Sequence, residues 1–243
     1  MKMRKQLLRL SANGKQLMLG SGRELRPYQF FEPGKVVLVM DTSDSMNILP
    51  WEINPPTPNS PQRTETIEHG EQVSVLSEEQ CRGRKTRLDV AKEKAVEFAN
   101  KAKSQRYLTG VVSFNSSARV ACSPSPDADV KASMEPLEAN GTTNLAKGIR
   151  LAIKELAGEG QRAMVVLSDG QPDDTEDAAA AAQEAKDAGI RVIAIGIPGA
   201  DEALLRRIAS HADLAVLSQV ESLGLALDNA LKMLPAPPSI QRR

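Results

Sequence analysis

One stretch of the sequence decides the fold: Val36-Val37-Leu38-Val39-Met40, followed directly by Asp41-Thr42-Ser43-Asp44-Ser45-Met46. A short apolar run bounded by turn-forming residues is typical of a buried strand in a parallel sheet. The polar residues then lie at the carboxyl end of this strand, where open α/β sheets bind ligands. The carboxylate of Asp41 and the hydroxyls of Ser43 and Ser45 are hard oxygen ligands, which suit Mg²⁺, Ca²⁺ or Mn²⁺ rather than zinc or copper. The sequence therefore predicts a divalent-cation site at this edge.

Two further polar segments occur later, each where a predicted strand or loop meets a helix. The first is Gly141-Thr142-Thr143-Asn144-Leu145, and the second is Ser168-Asp169-Gly170, which ends the apolar run Ala163-Met164-Val165-Val166-Leu167. Together with Asp-x-Ser-x-Ser, these segments resemble the three loops of the metal-ion-dependent adhesion site of von Willebrand factor A domains, the family that includes the integrin inserted domains. The resemblance covers about residues 35–234, apart from one insert.

This resemblance implies a role for each site residue. In the family the metal is octahedral, so Ser43 and Ser45 are expected to bind it directly, and Thr143 to bind it when a ligand is engaged. Asp41 and Asp169 are expected to act largely through water and to orient the serine hydroxyls. Neutral hydroxyls leave the cation under-neutralised, and an Asp or Glu carboxylate of a partner protein would complete the coordination. The expected metal is Mg²⁺, with Mn²⁺ or Ca²⁺ as alternatives.

The order of elements predicts an α/β fold of the Rossmann-like, doubly wound kind, with a mostly parallel six-stranded sheet, one antiparallel edge strand and helices on both faces. Strands are predicted at 35–40, 107–114, 119–123, 163–167, 190–197 and 214–219. Helices are predicted at 86–103, 127–137, 144–157, 174–188, 202–209 and 221–234. The turn at 115–117 is too short for a parallel crossover, so the strand at 119–123 should pair antiparallel at the edge.

Three regions lie outside the family pattern. Residues 1–34 form a basic N-terminal extension in which Asn13-Gly14 predicts a β-hairpin. The von Willebrand factor A domain, expected over 35–234, is interrupted at 47–85 by a long insert whose first part is rich in proline and whose residues 64–67 and 72–76 suggest a second hairpin. The Pro-rich tail at 235–243 is predicted to be disordered.

Two residues near the expected metal are candidates for contact with a partner. Asp44 stands where many relatives have a small residue, and it would either strengthen cation binding, weaken attraction for an acidic partner, or simply face solvent. Trp51, the only tryptophan, lies in the insert and would either anchor a partner or pack against its own domain.

Composition limits the other classes of function. The 243 residues carry 31 Lys and Arg against 31 Asp and Glu, so net charge gives no case for nucleic acid or an anionic membrane. Two cysteines, Cys81 and Cys122, do not make a disulfide framework, and the start of the chain has no apolar core typical of a signal peptide. A cytoplasmic protein is therefore expected. Phosphate-loop, zinc-protease and nucleophile-elbow motifs are absent from the sequence, so we do not expect an enzyme.

The favoured interpretation is an intracellular, divalent-cation-dependent protein-binding module that acts as an adaptor or assembly factor. Soluble relatives often work beside AAA-type ATPases, and the resemblance implies such a partner here. One alternative is a structural or assembly component that contacts partners through the extension and the insert, with the metal only stabilising the fold. A second alternative is a metal-dependent hydrolase.

Overall fold

The computed structural model describes residues 33–50 and 83–235 in full, together with the backbone of five short strands at 7–10, 16–20, 25–29, 64–66 and 72–74. The predictions for Trp51, for most of the insert and for tail residues 236–243 fall outside the described residues.

The chain contains both strands and α-helices, and every α-helix of the described residues lies after residue 86. The strands are β1 (Leu7–Leu10), β2 (Gln16–Gly20), β3 (Leu25–Gln29), β4 (Gly34–Asp41), β5 (Thr64–Thr66), β6 (Gln72–Ser74), β7 (Tyr107–Phe114), β8 (Ala118–Cys122), β9 (Arg162–Ser168), β10 (Arg191–Gly196) and β11 (Ala215–Leu217). The α-helices are α1 (Arg87–Ser104), α2 (Val130–Met134), α3 (Leu145–Glu155), α4 (Thr175–Asp187), α5 (Glu202–Ile208) and α6 (Leu223–Lys232).

Six strands form the central sheet in the order β11-β10-β9-β4-β7-β8. All neighbouring pairs are parallel except β7 and β8, which are antiparallel at the edge. This arrangement confirms the predicted fold class, including the antiparallel edge strand. The chain runs from β4 to β7 in one direction and then crosses back to β9 on the other side of β4, so the strand order reverses between β4 and β9.

The sheet is buried because helices cover it. Val36, Val37, Leu38, Val39 and Met40 of β4 have no exposed surface, as the apolar run predicts for a central parallel strand. Helix α1 packs against α6, whereas α4 packs against both α3 and α5. The predicted elements agree with the observed ones in type, and all but one have ends within two residues of the prediction.

The exception is α2, which is shorter than the helix predicted at 127–137. The Asp129 side chain accepts a hydrogen bond from the amide of Ala132, which fixes the helix start at Val130. Pro136 has no N–H with which to continue the helix beyond Met134.

Two smaller sheets lie outside the central one. Strands β1, β2 and β3 form an antiparallel sheet in which β1 and β2 flank Asn13-Gly14. The third strand has no counterpart in the sequence-based prediction. Strands β5 and β6 pair antiparallel within the insert. No helix in the described residues combines the length and apolar character needed to cross a bilayer.

Helix α3 approaches the sheet so closely that Gly148 has no room for a side chain. A Cβ added there would lie 2.9 Å from Cδ1 and 3.0 Å from Cβ of Phe114 in β7. We expect Gly148→Ala to lower the free energy of unfolding by about 1–3 kcal/mol through overpacking, despite the higher helix propensity of alanine. Chemical denaturation measures this change.

Gly224 provides the matched control because it is also a helical glycine. Its added Cβ would first meet the flexible Lys94 side chain, at 3.3 Å. Gly224→Ala should therefore leave stability within about 0.5 kcal/mol of the native protein or raise it. Equal effects of the two substitutions would contradict the close approach of α3 to β7.

Candidate metal centre

The pairing of β4 with β9 brings two acidic loops to one edge of the sheet. Met40 is in register with Leu167, so the chain continues from these paired positions into Asp41 on one side and Ser168-Asp169 on the other. This edge is the carboxyl end of the strands at the point where the strand order reverses, which is where open α/β sheets bind ligands. Asp41 and Asp169 are both buried.

Asp41 fixes the first loop and joins it to β9. Its Oδ1 accepts a hydrogen bond from the amide of Ser43 at 2.9 Å, and its Oδ2 accepts one from the hydroxyl of Ser168 at 2.6 Å. The chain then forms a turn of 3₁₀-helix over Asp44–Asn47. As a result the Oγ atoms of Ser43 and Ser45 lie 3.1 Å apart, on the same side of the loop.

Asp169 connects this loop to the start of α1. Its Oδ1 accepts a hydrogen bond from the hydroxyl of Ser45 at 2.7 Å, and its Oδ2 accepts one from Nη1 of Arg87 at 2.9 Å. Both members of this ion pair are buried, with 4% of the Arg87 side chain and 0% of the Asp169 side chain exposed. The contacts of Asp169 therefore include one hydroxyl of the candidate site and one permanent cation.

Sequence reasoning missed Arg87. The available signal was its position in the first turn of a predicted helix, where a basic side chain is unfavourable because it faces the positive end of the helix dipole. Thr86, which caps the helix, forms a capping box with Asp89, so Arg87 does not contribute to capping.

The electrostatics of the site favour a cation. Burial raises the pKa of Asp41 to about 7, and the negative charge of Asp169 acts in the same direction, while the hydrogen bonds from Ser168 and Ser43 lower the pKa. Two carboxylates that repel each other in a poorly solvated place are stabilised by any positive charge that both can approach.

The loop that carries Thr143 is attached to the first loop through the backbone. The amide of Asp44 donates to the carbonyl of Gly141 at 3.0 Å, and the amide of Asn140 donates to the carbonyl of Thr42 at 2.8 Å. Thr143 is buried, whereas Asp44 is exposed, as expected for the solvent-facing alternative.

Asp173 holds the Thr143 loop from the other side. Its carboxylate accepts hydrogen bonds from Oγ1 of Thr142 at 2.7 Å and from the amide of Thr143 at 3.2 Å. In return the amide of Asp173 donates to the carbonyl of Thr143 at 3.0 Å. In the sequence Asp173 belongs to an acidic cluster with Asp174, Glu176 and Asp177, which predicts a helix start on the same face as the metal. In the structure Asp174 caps α4 instead, by accepting from the amide of Asp177.

The donor set fits a hard divalent cation. Ser43, Ser45 and Thr143 offer hydroxyl oxygens, and Asp41 and Asp169 offer the two carboxylates. Within residues 33–50 and 83–235 no group of three or more His, Cys, Asp or Glu side chains could hold a metal. The hydroxyl and carboxylate oxygens of this donor set suit Mg²⁺ and Mn²⁺.

Comparison with known proteins identifies the family. The model of the von Willebrand factor type A domain matches residues 84–231, which is more than half of the chain. The chain belongs to this family. No curated protein sequence matches this chain.

Solved structures share the fold of this von Willebrand factor A domain. The vWF domain of the type V pili tip protein Mfa5 from Porphyromonas gingivalis superposes with a TM-score of 0.61 at 14% identity, covering 84% of this chain and 95% of that one. The PilB minor pilin from Streptococcus sanguinis superposes with a TM-score of 0.61 at 16% identity, covering 86% of this chain and 62% of that one. Proximal thread matrix protein 1 from the mussel byssus has zinc in its metal-ion-dependent adhesion site (MIDAS) motif. It superposes with a TM-score of 0.58 at 16% identity, covering 84% of this chain and 46% of that one. The chain thus spans about half the length of the mussel protein.

We predict that Asp173 orders the Thr143 loop of this domain. Asp173→Ala should speed amide hydrogen exchange at Thr143 by about tenfold or more, because the loop loses two hydrogen bonds to one carboxylate. The control is Asp174→Ala, which should lower stability by about 1 kcal/mol through the lost cap of α4 but leave Thr143 exchange unchanged. Unaltered exchange at Thr143 in the Asp173 variant would refute the role given to this residue.

Proposed function

We propose that this von Willebrand factor A domain binds a partner protein through a divalent cation, with Mg²⁺ as the metal used. Ser43 and Ser45 hold the cation directly, Thr143 joins them when the partner is bound, and Asp41 and Asp169 orient the hydroxyls. The single observation that supports this most strongly is the linked set of hydrogen bonds from Ser43 and Ser45 to the buried carboxylates of Asp41 and Asp169.

The balance of charge explains why the partner should present an acidic side chain. A cation held by these residues would leave a coordination position for a carboxylate oxygen of the partner. Of the two carboxylates at this site, Asp169 already shares its negative charge with Arg87. The remaining ligands are neutral hydroxyls, so the site retains positive charge for an Asp or Glu of the partner.

We propose further that the protein is an adaptor or assembly factor of the cytoplasm, without catalytic activity, that acts with an AAA-type ATPase. The balanced charge, the two cysteines and the lack of catalytic motifs support a non-catalytic protein of the cytoplasm. The ATPase partner is what the family resemblance implies. Relatives that are pilins or adhesins, such as the pilus adhesin SpaC from Lactobacillus rhamnosus, support protein contact as the general role of the fold.

The base of the insert lies against the metal site, which supports a role for the insert in recognition. The amide of Arg87 donates to the carbonyl of Ile48 at 2.9 Å, and the amide of Ile48 donates to the carbonyl of Ser45 at 3.2 Å. The insert therefore begins close to Ser45 and ends beside Arg87, whose side chain contacts Asp169. The first residues of the insert are therefore close enough to the metal site to reach a partner bound there.

Thr143→Ala should separate partner binding from folding. Asn144, and not Thr143, caps α3 by accepting from the amide of Lys147, so loss of the Thr143 hydroxyl should barely change stability. The partner is first isolated as a protein that the domain retains in a pull-down with Mg²⁺ and releases with chelator. The affinity of the Thr143→Ala variant for this partner should be lower by about tenfold or more. Asp41→Ala combined with Ser43→Ala should abolish Mg²⁺ binding in calorimetry.

The controls for this experiment are Thr143→Ser and Asn144→Ala. The serine variant keeps the hydroxyl and should keep the affinity, while the alanine variant should lose about 1 kcal/mol of stability but still bind. Partner binding that persists in chelator would favour the alternative in which the extension and the insert make the contacts. Turnover of a generic phosphoester would favour a hydrolase.

Replacing residues 49–85 with a short Gly-Ser bridge tests the insert. The bridge spans a short gap because Ile48 and Arg87 are already joined by a backbone hydrogen bond, and Thr86 keeps its capping box. We expect metal affinity to stay within about threefold and the fold to persist, since loop length changes stability little. Affinity for the partner should fall about tenfold or more, and an unchanged affinity would rule out a recognition role.

A further inference from the structure

The guanidinium of Arg87 is a buried cation in direct contact with the proposed metal site. Its Nη1 lies 2.9 Å from Oδ2 of Asp169, while the other oxygen of that carboxylate takes the hydroxyl of Ser45. Only 4% of the Arg87 side chain is exposed. An arginine cannot lose its charge in a protein, so this positive charge is permanent.

The position of Arg87 is unfavourable for its own helix. It is the first residue of α1, and a positive charge there opposes the helix dipole. Removing a charged group from water is also costly unless a partner compensates it. Both costs are offset here by the ion pair with Asp169, which in turn lies close enough to Asp41 for its charge to act on that carboxyl. The charge of Arg87 therefore serves the carboxylates and not the helix.

A divalent cation would act on the same negative charges. Ser45, one of the hydroxyls proposed to hold the metal, donates to Oδ1 of Asp169, and Arg87 donates to Oδ2. A metal held by Ser45 and the guanidinium would therefore both act on one carboxylate. Two positive charges so close together repel, and the buried surroundings screen them little. Each of the two, metal and guanidinium, also neutralises part of the carboxylate charge and so weakens the attraction for the other.

We propose that Arg87 is a tethered counter-ion that competes with the divalent cation for the Asp41–Asp169 pair. It weakens metal binding and keeps the domain folded when no metal is bound. Metal occupancy, and with it partner binding, then follows the concentration of divalent cation and is not permanent. This inference rests on the proposed metal-binding function and adds how that function is regulated.

A purely structural arginine would give a different result. Its loss would lower stability by the same amount with and without metal, and metal affinity would stay the same or fall as Asp169 lost its orientation. A competing counter-ion predicts that its loss raises metal affinity, and that metal restores the stability lost.

The test compares Arg87→Gln, Arg87→Lys and the native chain by Mg²⁺ and Mn²⁺ calorimetry and by thermal unfolding with and without metal. Lys101→Gln is the matched control. It also removes one positive charge from α1, where Lys101 pairs with Asp228, but lies 14 residues further along the helix, roughly 21 Å away.

We expect Arg87→Gln to bind Mg²⁺ about 10-fold to 100-fold more tightly than the native chain. Its metal-free unfolding midpoint should fall by about 10 °C, and saturating metal should restore most of that loss. Arg87→Lys keeps the charge and should bind metal within about threefold of the native value, as should Lys101→Gln.

Each other outcome counts against the inference. Unchanged or weaker Mg²⁺ binding by Arg87→Gln, beside normal binding by the native chain, overturns it and leaves the proposed function intact. If Arg87→Lys binds metal as tightly as Arg87→Gln, the inference is also overturned, because the charge of residue 87 then has no effect. If Arg87→Gln fails to fold even in saturating metal, the inference is overturned because the metal does not replace the arginine. Absence of binding by the native chain and by all variants overturns both proposals.

Discussion

The carboxylates of Asp41 and Asp169 lie together at one buried edge of the sheet. Their mutual repulsion is the constraint on which the rest of the site depends. The pairing of β4 with β9 brings these carboxylates together, because Asp41 ends β4 and Asp169 directly follows β9 at the same edge of the sheet. Burial makes the meeting costly, as the raised pKa of Asp41 indicates. Hydroxyl donors, a buried guanidinium and a divalent cation are the three kinds of group that can relieve it. The structure supplies the first two from Ser45, Ser168 and Arg87.

The insert separates the first loop of the site from the part of the chain that the family model matches. The family model matches from residue 84 onward, so the match omits β4 and the Asp41 loop. In the fold, however, β4 is central and pairs with both β7 and β9. A long excursion between β4 and α1 is tolerated because its two ends are held together by the hydrogen bond from Arg87 to Ile48. The same residue, Arg87, thus closes the insert through its backbone and contacts the metal site through its side chain.

Most of the fold could be predicted from the sequence because its signals are local. The apolar runs at 36–40 and 163–167 specify buried strands, and the short turn at 115–117 specifies the antiparallel edge. Strand β3 was missed because Pro27 lies inside it, and proline argues against a strand except at an edge, which is where β3 lies. The contacts of Arg87 with Asp169, and of Asp173 with Thr142 and Thr143, join residues far apart in sequence. No local pattern specifies such side-chain contacts, so they could not be predicted.

We propose that a divalent cation binds among the hydroxyls and carboxylates at the carboxyl ends of β4 and β9. A crystal grown with Mn²⁺, with anomalous diffraction recorded near the manganese edge, shows directly whether it does. We expect one strong anomalous peak about 2.0–2.3 Å from the Oγ atoms of Ser43 and Ser45, by analogy with other hard-cation sites. A well-ordered site with no peak there at saturating Mn²⁺, or a peak elsewhere in the protein only, would show that these residues do not form a metal site.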